Sequence, residues 1–130
     1  MANNPAYAAT PKNFRATLSA ANTARDGTGT IVTLCTGAAT GTRIEDIFFK
    51  AVATTTAGMI RLFYSLDGGT TNDLIWEIPV TVVPVAINVP AWAWKLSNLG
   101  FVLQDTSALL RASTEKAETF KVVGTRAGVF

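Results

Sequence analysis

From Phe14 onward, apolar and polar residues alternate in short runs separated by turn-forming residues. In residues 42–54, Ile47, Phe49, Ala51 and Ala53 stand on one side, with Asp46, Phe48, Lys50 and Val52 on the other. That period of two is the signature of a strand with one buried face. Residues 58–66 alternate Ile60, Leu62 and Tyr64 with Met59, Arg61 and Phe63, and residues 72–82 resume with Leu74, Trp76 and Ile78. Between them, Asp67-Gly68-Gly69-Thr70-Thr71-Asn72 predicts a hairpin connection, because glycine accepts the positive φ of tight hairpins. Further strands are expected at 14–18, 30–36, 91–96, 101–103, 108–114 and 119–125.

Pro79, Pro84 and Pro90 confine the stretch they punctuate to edge strands or an extended crossing, since proline lacks the ladder N–H. No run of a dozen residues carries a helical period, and residues 113–118 offer one helical turn at most. Short strands at regular spacing without helical crossovers predict an all-β fold. The expected architecture is an antiparallel β-sandwich, jelly-roll-like, of about eight strands in two four-stranded sheets. Residues 1–13 are rich in Asn, Pro and Ala and are expected as an extended N-terminal arm, with the sandwich over 14–130.

Composition narrows the chemistry. Only 15% of the 130 residues are charged, 11 basic against 9 acidic, for a net charge of +2. The basic residues are scattered singly along the chain, so no nucleic-acid partner and no membrane surface is expected. Histidine is absent, which removes Ser-His-Asp triads, Cys-His dyads and His-based zinc sites built from this chain alone. The lone Cys35 follows Ile31, Val32 and Leu34 and reads as a small apolar residue, without a disulfide or CxxC partner. No secretory signal is visible at the N-terminus, and prolines break the apolar stretch 78–94, so a soluble product made in the cytoplasm is expected. Neither a cofactor nor a metal is expected.

Local candidates resolve mostly to structural roles. Residues 24–29, Ala-Arg-Asp-Gly-Thr-Gly, lack the spacing of a phosphate-binding loop and read as an ordinary loop with an Arg25–Asp26 pair. Asp67 lacks the further acids of a calcium loop. Glu45 and Asp46 face opposite sides of a strand; with Glu77, they are expected in surface salt bridges to Arg43, Arg61 or Lys50. Trp92 and Trp94 share a face that is either core or, if outward, an interface anchor or a platform for sugars or bases. The terminal Phe130 either tucks against its own domain or inserts into a neighbour.

Three segments carry a resemblance: residues 23–29 before a β run, residues 54–63 (Thr-Thr-Thr-Ala-Gly-Met-Ile-Arg-Leu-Phe), and residues 110–114 (Leu-Arg-Ala-Ser-Thr). Together they resemble small virion proteins of tailed bacteriophages. The resemblance implies a non-enzymatic structural protein of the particle without placing it on head, neck or tail; the weakly charged Thr- and Ala-rich surface and the arm add the expectation of a capsid decoration or cement protein. Its expected partners are the major capsid protein or other virion proteins, and it is expected as a homo-oligomer, trimer or dimer, located in the virion. The expected assembly contacts are Pro5, Tyr7, Pro11, Phe14, Arg25, Trp92, Trp94 and Phe130. The alternatives are a neck, tail or head-fibre component, a carbohydrate-binding module on Trp92, Trp94 or Trp76, and a small carboxylate hydrolase.

Overall fold

The computed structural model describes residues 9–130. Among them are twelve strands and no helix: β1 (Thr10–Pro11), β2 (Phe14–Leu18), β3 (Val32–Thr36), β4 (Thr42–Ile44), β5 (Asp46–Ala51), β6 (Gly58–Ser65), β7 (Asp73–Val80), β8 (Ala93–Leu96), β9 (Phe101–Leu103), β10 (Leu109–Thr114), β11 (Phe120–Thr125) and β12 (Gly128–Val129). All strand pairs are antiparallel, in three four-stranded sheets: β1-β12-β4-β9, β2-β11-β5-β8 and β3-β10-β6-β7.

The first two sheets share their order, because the same four stretches of chain run through both. Residues 10–18, 42–51, 93–103 and 120–129 each leave one sheet at a kink and enter the other. Strands that turn a corner in this way need local backbone irregularity. Here Asn98 (φ 53), Gly100 (φ 57) and Arg126 (φ 50) supply left-handed residues at the corner. One carboxylate organises it. Asp46 accepts bonds from Arg126 Nε at 2.8 Å, Arg126 Nη2 at 3.2 Å and the Asn98 backbone N–H at 3.1 Å. Arg126 Nη2 also donates to Asn98 Oδ1 at 2.7 Å. Burial alone would raise the Asp46 pKa, but the Arg126 and Asn98 bonds outweigh it and hold the carboxyl below its ordinary value.

The apolar core lies between the kinked pair of sheets and the third sheet. Leu18, Ile47, Phe49, Phe120 and Val122 come from one side, joined by Ile44 and Leu103 beyond the corner. Leu34, Ile60, Leu62, Ile78, Leu110 and Ala112 come from the other. Each large side chain hidden this way contributes about 1.5–3 kcal/mol relative to exposure. Trp92 seals one end, edge-on to Phe120 with ring centroids 5.6 Å apart. Tyr64 and Phe101 meet edge-on at 5.1 Å where β6 faces β9.

The all-β class, the antiparallel pairing and the β6–β7 hairpin match the sequence-based expectation. The hairpin connection is held by Asp67, which accepts from Thr71 N–H at 2.8 Å and from Ser65 Oγ at 2.9 Å. Pro79 sits in β7, an edge strand, as its missing N–H demands. Four details differ. The expected strand 42–54 breaks at Glu45 and ends at Ala51. Thr10–Pro11, assigned to the free arm, forms β1 on the edge of a sheet beside β12. Residues 91–92 precede β8 instead of opening it. Residues 113–118 form the end of β10 and a turn, with no helical turn. The strands number twelve, because the kink at Glu45 divides one expected strand and the two-residue strands β1 and β12 add to the rest.

Candidate functional site

The two outer faces of the molecule differ. On the third sheet, residues 22–31 fold back over the strands. Asn22 shapes this loop: its side-chain amide donates to the carbonyls of Thr28 (2.9 Å) and Thr30 (3.0 Å) and accepts from Ala24 N–H. Beneath it Phe63 is fully buried outside the main core, and the Arg61 side chain is almost wholly hidden. The ion pairs here are internal. Arg25 Nε donates to Glu77 Oε1 at 2.6 Å, Arg61 bonds Glu115 at 3.2 Å, and Arg111 reaches the Ile31 carbonyl at 2.9 Å. Arg25 therefore pairs across the loop with Glu77 and not with its neighbour Asp26. Asp26 instead accepts from the backbone N–H and hydroxyl of Thr28.

The outer face of β2-β11-β5-β8 is uncovered. Register places its outward side chains in two rows, Arg15–Val123–Phe48–Lys95 and Thr17–Lys121–Lys50–Ala93, and all eight are exposed. Lys121 stands directly opposite Lys50, a like-charge cross-strand pair that ordinarily destabilises a sheet. Among the described residues none of these cations closes an ion pair, although the Lys95 charge helps to lower the Asp46 pKa; their direct contacts are to neutral groups. Lys121 donates to Thr17 Oγ1 at 3.2 Å, Lys50 to the Ala91 carbonyl at 2.7 Å, and Lys95 lies 4.8 Å from the centre of the Phe48 ring. Asp46 is bonded by Arg126 at the corner, and Glu118 by the backbone N–H and hydroxyl of Thr56. The expectation of singly scattered basic residues is thus corrected in space. Strand pairing gathers Arg15, Lys50, Lys95 and Lys121, which no local window in the sequence shows together. Lys50 also lacks the acidic partner expected for it, whereas Arg43 pairs with Glu45, and Arg61 lies 3.9 Å from Glu77.

A third surface is apolar. From the end of β7 to the start of β8, residues 78–94 contain no charged side chain, and in the connection Val82, Val85, Ile87 and Val89 are exposed, Ile87 completely. The segment is ordered by backbone bonds. Val89 N–H donates to the Ala86 carbonyl at 3.1 Å, closing a tight turn over Ile87 and Asn88. Val83 and Thr55 exchange N–H···O bonds at its base. Pro84 and Pro90 limit ladder pairing between the two strands and leave this part projecting.

The candidate contacts are dispersed. Trp92 belongs to the core at 6% exposure; Trp94, stacked on it at 6.5 Å between ring centres, keeps 40% of its surface free. The two share a face, but only Trp92 fits the core reading. Phe14 points inward and lies against Gly124, where a Cβ would stand 2.0 Å from the ring. Pro11 is exposed in β1, and Arg25 sits on the opposite face from the basic rows. Phe130 tucks against its own domain: its N–H bonds the Gly41 carbonyl at 3.1 Å, and its ring lies against Gly41. Pro5 and Tyr7 lie outside the described residues. Cys35 is half-buried, and burial pushes its thiol pKa up. Among the described residues, no three His, Cys, Asp or Glu side chains gather as a metal site would require.

Comparison with known proteins returns little. No family model matches the chain, and no curated protein does. Among solved structures, 97% of the chain is similar to part of a chain in the structure of the infectious bursal disease virus Gt strain, at 13% identity and a TM-score of 0.32. The chain spans about a third of that one, 36% of its length. At that degree of likeness, function has to be argued from the chain's own surfaces.

Proposed function

We propose that the chain is a non-enzymatic structural protein of a tailed-bacteriophage virion, made in the host bacterial cytoplasm. In this reading it is a decoration protein that binds the assembled head and clamps neighbouring capsid subunits. The observation that carries the reading is the charge-free, exposed segment around Val82, Val85, Ile87 and Val89. A charge-free run with several exposed apolar side chains suits a surface that another molecule covers. It favours an assembly component, with this segment joining copies of the chain into a dimer or trimer.

The strand order supports the same reading. With each kinked stretch counted once, eight chain segments pair first with eighth, second with seventh, third with sixth and fourth with fifth. We read that order as a long hairpin rolled up on itself in the manner of a jelly roll, an architecture found in capsid and lectin domains. The lectin-like alternative loses one ring of its expected platform, since Trp92 packs on Phe120 inside the core.

The mechanism is linkage: a protein that binds only the assembled shell stabilises that shell by mass action. Heads prepared without this chain are expected to bind a saturating number of copies of the purified protein and to open at a higher temperature. Heads that neither bind it nor gain thermal stability would contradict the proposal.

A further inference from the structure

The exposed face of β2-β11-β5-β8 is built against its own stability. Lys50 and Lys121 oppose each other across paired strands, and Arg15 and Lys95 stand in the adjoining row. None of the four closes an ion pair with a carboxylate among the described residues, while Arg25, Arg43, Arg61 and Arg126 all do. With those four cations set aside, the remaining basic residues of the chain are outnumbered by its nine acidic ones. A molecule of small net charge therefore has one concentrated positive face. Within it Val123 and Phe48 form an exposed apolar pair, flanked in their own row by Arg15 and Lys95 and bordered in the next by Lys121 and Lys50.

We infer that this face docks on an acidic protein surface, one that presents apolar side chains ringed by Asp and Glu. Charge complementarity selects the sign of the partner, and the apolar pair selects its class. A protein interface places apolar contact at its centre and charge around it. A phosphate backbone has nothing to set against Val123 and Phe48. Single-stranded nucleic acid needs aromatic faces for stacking, whereas the Phe48 ring is the one aromatic group on the two rows and Lys95 already lies over it. The face is also distinct from the projecting apolar segment, so the two surfaces serve different contacts: copies of the chain at residues 82–89, the acidic partner on the sheet. The inference deepens the decoration-protein reading, in which the acidic surface belongs to the capsid.

The full-length K50E/K95E variant tests it. K50E sets a carboxylate opposite Lys121, while the variant gives up the Lys50 bond to the Ala91 carbonyl and the Lys95 contact with the Phe48 ring, so its melting is measured first and binding is compared at a temperature where both proteins are folded. Its binding to heads lacking the chain should fall about tenfold or more. Parent binding should weaken as salt rises towards about 0.5 M, where charges are screened within a few ångströms. Binding that is unchanged in the variant and indifferent to salt overturns the docking face but leaves the decoration role standing. If the parent does not bind heads at all, the decoration role falls, and the face is tested by retention on poly-L-glutamate, single-stranded DNA and phosphatidylserine vesicles. Preferential retention on poly-L-glutamate, lost in K50E/K95E, supports it; equal or tighter retention on DNA or vesicles overturns it.

Discussion

Two residues show how much of this fold rests on single side chains. Asp46 gathers Arg126 and Asn98 at the corner where four stretches of chain change sheets. Its pKa is lowered in the folded state, so its contribution is complete above the unfolded carboxyl value of about 3.9 and is lost as pH falls through the lower folded value. The D46N variant should therefore melt several degrees below the parent at neutral pH, with the gap narrowing in acid; a melting temperature followed against pH checks this. A gap that stays constant through acid would mean that the corner does not depend on the charge. Gly124 is the second case. Its register partner Phe14 lays its ring where a Cβ would stand, so G124A should cost about 1–3 kcal/mol by overpacking. In an F14A background the cost should largely vanish, a coupling that a double-mutant cycle in denaturant measures.

At the scale of elements, period-two patterning was enough to place most strands, because a half-buried strand writes its two faces directly into the sequence. Phe48 and Lys50 outward against Ile47 and Phe49 inward is one such case. The breaks were not legible. Nothing in the run around Glu45 announces a corner, since the kink is fixed by Arg126 and Asn98, distant in sequence. The short strands β1 and β12 were missed for a related reason: two residues carry no period, and they pair only because the corner brings β4 alongside β12. The candidate surfaces divide in the same way. The charge-free stretch 78–94 could be seen in the sequence but not its exposure, and the basic face is a product of register alone. The projecting segment yields its own prediction. V82D and I87D alter the two most exposed of these apolar side chains, so stability should change by no more than about 0.5 kcal/mol. Self-association followed by sedimentation should be lost; oligomers that survive both substitutions would place the contact between copies elsewhere.

For the whole molecule, the distribution of covered and uncovered surface matters more than any one site. One outer face is closed by residues 22–31, with Arg25 paired to Glu77 and Arg61 to Glu115; the other is open, and among the described residues its cations close no ion pair with a carboxylate. The apolar segment projects from between the sheets' ends with its backbone ordered and its side chains free. On the proposed reading the molecule is held on two sides, by copies of itself and by a larger acidic body, as a protein that staples a shell would be. The most direct test is to add the purified chain to heads prepared without it and to follow both occupancy and the temperature at which the heads open. The proposal predicts saturable occupancy at regular lattice positions and a rise in opening temperature that tracks it. Heads that stay bare, or that open at the same temperature when fully occupied, would contradict it.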